Sequence, residues 1–263
     1  AQAGEDLYVI SGKSIVVYQG VNAIVNTMTR YNVTADAWTP LADIPVASHA
    51  PAGAFFGGKI YVADGAAGLN LLRIYDIATN AWSAGPARPG VANSYGAAAG
   101  AFNGKVYVAG GGVAGPSSVL SIYDIAGNTW SVGPGSPSPY QLGGYTQVGQ
   151  FLYLIGSTTS AASVNSTVSM RLDMATNTWS TGPVWTPARA DFALAAAGTK
   201  LIAIGGDRNG GDAVDPSAQV NELDTSTWPA GAWVSSPDNL PSPRQSNHAG
   251  FVSTGRVGGE IWS

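Results

Sequence analysis

The sequence predicts an all-β fold made of repeated four-stranded antiparallel units. Three observations carry this. The first is a short hairpin, Gly96 to Gly111, whose strands flank Asn103-Gly104. Both turn residues tolerate the positive φ of a tight primed turn, which makes Asn-Gly the strongest short hairpin signal. The second is another hairpin, Ser121 to Trp130, that turns at Gly127-Asn128 and closes on Trp. The third is recurrence: Gly12, Gly58, Gly104, Gly149 and Gly198, the turn glycines of successive first hairpins, fall 45 to 49 residues apart. Four strands per period, without any helical pattern, predict blades arranged radially, a β-propeller.

The blades follow in order along a single domain, 1–263. Residues 7–45 form the first, with its opening hairpin read as Leu7 to Gly20 around Gly12 and its second as Arg30 to Trp38. Residues 46–88 form the second, turning at Gly57-Gly58-Lys59 and then running from Ile74 to Trp82. Residues 89–138 form the third, which holds the two hairpins above and ends in a Ser/Pro/Gly crossover. Residues 139–187 form the fourth, with turn Gly149-Gln150 and second hairpin Arg171 to Trp179. Residues 188–241 form the fifth, whose hairpin from Glu222 to Trp233 carries an insertion of three residues. Residues 242–263 begin a further, partial blade. The expected ring is six-bladed with an incomplete last blade; a five-bladed ring is the alternative.

A Gly-rich second strand, a Tyr-Asp third strand and an Asn-x-Trp turn, as in Val106 to Gly111, Tyr123-Asp124 and Asn128-Thr-Trp130, resemble the kelch repeat over nearly the whole chain. The resemblance implies that Trp38, Trp82, Trp130, Trp179 and Trp233 pack between blades, and that an Arg in a Pro-x-Arg crossover can belong to the framework. Among kelch-like enzymes, a galactose-oxidase-type copper site needs a Tyr–Cys crosslink, and this chain has no Cys.

That absence also excludes disulfides, thiolate nucleophiles and Cys-ligated zinc. Charged residues make up only 11% of the chain, and the net charge is −4, so no basic stripe suits nucleic acid. No run approaches the ~20 apolar residues of a membrane helix, and neither nucleic-acid binding nor membrane insertion is expected. Low Lys content and Ser/Thr/Asn/Gly-rich loops favour an exported protein, extracellular or periplasmic. Lys13, Lys59, Lys105 and Lys200 are the four lysines, each expected at the turn of a first hairpin, where Lys guards an edge against pairing.

Function on a propeller is expected on loops held by the rigid scaffold. Strand alternation puts the crossovers and the second-to-third-strand loops on one face, and each crossover enters beside the central channel. There the chain supplies Arg88, Tyr95, Tyr140, Trp185, Arg189, Asp191, Arg244, Asn247 and His248. These are the expected ligand contacts, with no catalytic residue, metal or cofactor assigned. Arg forks suit carboxylates, and the aromatics offer flat apolar faces to a glycan or a protein loop. His49 and His248 share one repeat position; a two-His site with Asp191 is disfavoured because their blades are not neighbours. The Asp207–Asp215 loop holds three carboxylates but lacks EF-hand spacing, so a solvated loop is expected. The primary expectation is a non-catalytic binding propeller. One alternative is a sugar-acid enzyme resembling a kelch-like sialic-acid epimerase, using Arg189, Arg244 and Asp191; another is a structural propeller within a larger surface protein.

Overall fold

A computed structural model describes residues 2–3, 6–16, 21–66, 70–112, 114–158, 165–209 and 215–244. Its strands form five antiparallel four-stranded sheets, each in sequential order. Blade 1 contains β1 (Gln2–Ala3), β2 (Asp6–Val16), β3 (Val21–Asn32) and β4 (Ala37–Pro40); blade 2 contains β5 (Ala52–Phe56), β6 (Lys59–Ala63), β7 (Leu71–Asp76) and β8 (Ala81–Ala87). Blade 3 contains β9 (Ala98–Phe102), β10 (Lys105–Ala109), β11 (Leu120–Asp124) and β12 (Thr129–Val132). Blade 4 contains β13 (Gly144–Val148), β14 (Phe151–Ile155), β15 (Ser169–Asp173) and β16 (Thr178–Thr181). Blade 5 contains β17 (Ala193–Ala197), β18 (Lys200–Ile204), β19 (Val220–Asp224) and β20 (Val234–Ser235). The first strands β5, β9, β13 and β17 lie side by side in succession and so surround the central channel.

The blade count corrects the six-bladed expectation: five blades are present among the described residues, as in the five-bladed alternative. Residues 245–263, which hold most of the expected partial blade, lie outside the described residues. Blade 1 carries a second correction. Gly12 and Lys13 form no turn; they lie within β2, paired with Val25 and Ile24. A register shift between Ile10 and Gly12, with Ser11 at φ 60°, bends this strand instead. Leu7 therefore stands on the second strand, opposite Tyr31, as Ile60 stands opposite Tyr75 and Val106 opposite Tyr123. The inner strand of blade 1 is the two-residue β1.

The second hairpins of blades 1, 2 and 3 are built on one local device. Tyr31, Tyr75 and Tyr123 donate their hydroxyls to Asp36, Asn80 and Asn128 at 2.5, 2.7 and 2.8 Å. Those acceptors occupy the left-handed region (φ 48°, 52° and 50°), which Asn and Asp adopt more readily than other side chains. Asp76, Asp124 and Asp173 cap the second-hairpin turns of blades 2, 3 and 4 by accepting from backbone N–H groups two or three residues on. In blade 4 Leu172 replaces the Tyr, and the Asn177 side-chain oxygen is left without a partner.

Four apolar clusters fill the joints between consecutive blades: Tyr8, Met28 and Tyr75 between blades 1 and 2; Ala54, Val106 and Tyr123 between 2 and 3; Tyr107, Leu152 and Met170 between 3 and 4; Tyr153, Phe192 and Leu223 between 4 and 5. The repeat Trp residues lock these joints. Trp82, Trp130 and Trp179 donate their indole N–H groups to the preceding crossover, at Ala42, Pro86 and Pro134 carbonyls (2.8, 2.9 and 2.9 Å). In blade 5 the inserted residues form a short 3₁₀ turn, Thr225–Thr227, and two Trp share the work: Trp228 reaches Ser180 and Trp233 reaches Ser169.

Candidate functional site

The crossovers and the second-to-third-strand loops meet on one face, joined by isolated bridges His49 to Ala66, Ser117 to Tyr140, Ala190 to Asp207 and Ser217 to Arg244. They meet tightly because glycines end the second strands. A Cβ on Gly110, at φ 71°, would lie 2.4 Å from the Tyr140 carbonyl oxygen. Each crossover then makes one left-handed step before its inner strand, at Ala50, Gly96, Leu142 and Asp191. These steps are chained: Gly96 N–H donates to Ala50, Leu142 N–H to Gly96 and Asp191 N–H to Leu142, at 3.0, 2.9 and 2.9 Å. The result is a belt of backbone bonds around the mouth of the channel, and it fixes what each crossover presents there.

Of the nine expected contact residues, Tyr95, Tyr140 and Asp191 are brought together. Burial, and then the Asp207 carboxylate, push the Asp191 carboxyl up to about 7. Burial raises Tyr95, and Asp191 raises it further. Tyr140 is fully buried, is raised by burial, Tyr145 and Asp191, and its hydroxyl has no hydrogen-bond partner. His49 packs its ring 5.2 Å from that of Tyr95. The Gln141 amide donates to the Tyr95 and Gly112 carbonyls, which holds this crossover against its neighbour.

Three expected contacts, Arg88, Arg189 and Trp185, are buried in the framework. Arg88 is 3% exposed and spends its guanidinium on Ser121, Ser94 and the Gly110, Val108 and Val119 carbonyls at 2.9–3.2 Å. Arg189 is wholly buried and donates to the Gly205 and Gln219 carbonyls, to Ser217 and to Asn221. The two fill equivalent holes in blades 3 and 5. Burial without a carboxylate partner among these acceptors pushes them down to about 9 and about 10, still charged at neutral pH. Trp185 is wholly buried against Phe192 and Trp233, with the Arg189 guanidinium 4.8 Å from its ring centroid. Arg244 is exposed on the chain leaving blade 5; Asn247 and His248 lie outside the described residues.

Tyr145 was not among the expected residues. It starts on the inner strand of blade 4, and its hydroxyl accepts from the Gly53 N–H of blade 2 at 3.3 Å, so the side chain crosses the channel between non-adjacent blades. Two residues on, the Gln147 amide pairs with both backbone groups of Ala101 at 2.8 and 2.9 Å. Together they floor the mouth. The sequence signal was a lone Tyr at an inner-strand position that is Gly53, Ala99 and Leu194 in the other blades. At the rim, Asp207 accepts from its own loop at Asn209 and Asp215, and Asp215 is paired with Arg208 at 2.6 Å. On the opposite face Lys59 and Lys200 pair with Asp76 and Glu222. No helix among the described residues is long and apolar enough to cross a membrane.

Repeated four-stranded blades about a channel define a β-propeller, and the comparisons agree. A family model for the kelch motif matches residues 94–137, the third blade with its entering crossover. The same device of Tyr, turn Asn or Asp, and Trp recurs in other blades, so the motif match and the arrangement of blades together support a kelch-repeat propeller. The solved structure of YjhT covers 93% of this chain and 84% of its own length with a TM-score of 0.72, at 17% sequence identity; that likeness is one of fold. No curated protein matches the chain by sequence.

Proposed function

We propose that this propeller is a non-catalytic binding module that takes a protein loop or a glycan into its crossover mouth, in an exported setting. The convergence of His49, Tyr95, Tyr140 and Asp191 from four successive crossovers, over a channel floored by Tyr145, supports this reading. A rigid concavity with a few polar groups among aromatic faces is the general form of a binding site. The test compares Tyr95→Ala with a Lys59→Ala, Lys105→Ala double variant of the opposite face against displayed peptides and immobilised glycans. Loss of binding only in Tyr95→Ala supports the mouth; loss only in the double variant overturns it.

A second reading, proton transfer on a bound sugar acid, draws on the Asp191 carboxyl held at about 7, suited to acid–base work at neutral pH. An enzyme loses turnover but keeps affinity in Asp191→Asn, whereas a binder changes affinity alone. The burial of Arg189 removes one of the two forks that this reading assigned to the carboxylate of the substrate.

A further inference from the structure

We infer that the joint between blades 4 and 5 carries a second binding site, at Arg171, that takes the carboxylate of an Asp or Glu side chain on a partner protein. Arg171 stands in the middle of β15, opposite Tyr153 on β14 and Ser180 on β16. Its guanidinium carbon lies 4.3, 5.3 and 5.9 Å from the ring centroids of Phe151, Trp228 and Tyr153. Ring faces attract a cation and hold the guanidinium plane, but they leave the N–H donors at its edge unused. Among the described residues Arg171 has no hydrogen bond or ion pair, and none of its nitrogens is sealed from solvent.

The other blades show that the fold does not require a charge here. The same position is Ile74 in blade 2 and Ile122 in blade 3, opposite Tyr61 and Tyr107. Where the position is charged elsewhere, the first residue of the second strand supplies the opposite charge. In blade 1 Arg30 pairs with Asp6 at 3.8 Å, and in blade 5 Glu222 pairs with Lys200 at 2.7 Å. In blade 4 that strand begins with Phe151. Arg171 thus keeps the charge, and a ring occupies the place of its acid. Asp173, two residues along β15, accepts from the Gln150 amide and the Ala175 N–H and forms no ion pair with Arg171. A carboxylate arriving from outside can take two edge donors of the guanidinium at once. Arg171, Phe151 and Trp228 are half-buried, so they form a shallow seat. Arg, Trp and Tyr are the residues in which protein interfaces concentrate their binding energy, and a guanidinium already pinned by rings loses little freedom on binding. Both points favour an acidic side chain presented by a protein over a free ion.

The test selects a displayed library of short random peptides on the whole chain and counter-selects on Arg171→Gln. Enrichment of Asp or Glu in the retained peptides is expected. A retained peptide should bind about tenfold more weakly to Arg171→Gln, as for the loss of a charged hydrogen bond, and equally well to Tyr95→Ala, which separates this site from the mouth. NMR of the arginine side chains in the unaltered protein needs no variant to fold. The Arg171 Nε–H resonance should move when the peptide is added, and should not move with an analogue in which each acid is replaced by its amide. The resonance of Arg30, already paired with Asp6, should stay in place. Retained peptides without acidic enrichment, or an amide analogue that moves Arg171 as far, overturn the inference. So does a response of Arg171 to inorganic phosphate but not to the acidic peptides, which would make this a site for a free oxyanion. If every retained peptide is lost in Tyr95→Ala and leaves Arg171 unmoved, the mouth alone binds and the second site falls.

Discussion

Asp191 occupies the left-handed region (φ 49°) and holds its carboxyl among phenols, close to a second carboxylate. Because its folded value, about 7, is above the ordinary 3.8, the native state binds the proton more tightly than the unfolded chain does. The associated stability is fully present below about pH 4 and is lost as pH rises towards 7. Asp191→Asn, which keeps a side chain that tolerates this backbone, is expected to leave stability nearly unchanged at pH 4. At pH 8 it should stabilise the fold by about 2 kcal/mol, a figure discounted for partial exposure. Thermal unfolding at the two pH values checks this, and a pH-independent difference would show that the carboxyl is not desolvated. Arg88 gives the contrasting case. Its five hydrogen bonds reach three backbone carbonyls and two Ser hydroxyls, and Arg88→Met orphans them in the interior. A loss of about 3 kcal/mol in urea unfolding is expected; unchanged stability with altered ligand affinity would return Arg88 to the site. The sequence leaves Arg88 and Arg189 ambiguous because a Pro-x-Arg crossover looks the same whichever way its side chain points. What decides the matter is a set of carbonyls 16 to 31 residues away.

At the level of the element, second hairpins were more legible than first ones. Tyr123, Asp124, Asn128 and Trp130 act within ten residues of one another, through a side-chain bond, a turn cap and a ring contact of 5.2 Å, so the pattern and the physics share one window. The first hairpin of blade 1 was misread because a Gly among β-branched residues serves a bulged strand as well as a turn. The stronger signal was Leu7-Tyr8-Val9, which matches Ile60-Tyr61-Val62 and Val106-Tyr107-Val108 on second strands. The repeat Trp residues expose the consequence. Trp130 reaches the crossover before it, whereas Trp38, in the first blade, is 59% exposed. Phe keeps the ring and deletes the N–H. Trp130→Phe should therefore cost about 1 kcal/mol, the net value of a hydrogen bond, while Trp38→Phe should stay within about 0.5 kcal/mol, as for a surface change. Equal costs for the two, read from denaturant midpoints at constant m, would mean that the indole N–H does not hold the joint.

Across the whole molecule, most contacts run between neighbours: strand to strand within a blade, and blade to next blade through the four apolar joints. Such an arrangement favours local opening, since each unit leans only on those beside it. Tyr145 breaks that rule by linking blade 4 to blade 2 through the Gly53 N–H. Inner strands have no partner on their channel side, so an N–H there is open to exchange unless a side chain covers it. The same reasoning explains Gln147, whose amide stands in for a strand against Ala101. The sequence marks Tyr145 only as an unusual inner-strand residue; its partner was not legible, because Gly53 is 92 residues away and lies across the axis. Tyr145→Phe keeps the ring and removes the acceptor. Hydrogen exchange at the Gly53 amide should accelerate about tenfold, matching the loss of one hydrogen bond of ~1.4 kcal/mol, while the Tyr61 and Val62 amides inside blade 2 keep their protection. If Gly53 exchanges no faster, the hydroxyl does not hold it, and the floor of the mouth rests on packing alone. If Tyr61 and Val62 accelerate equally, the bond stabilises blade 2 as a unit, and the link across the axis is a joint of the fold rather than only the floor of its pocket.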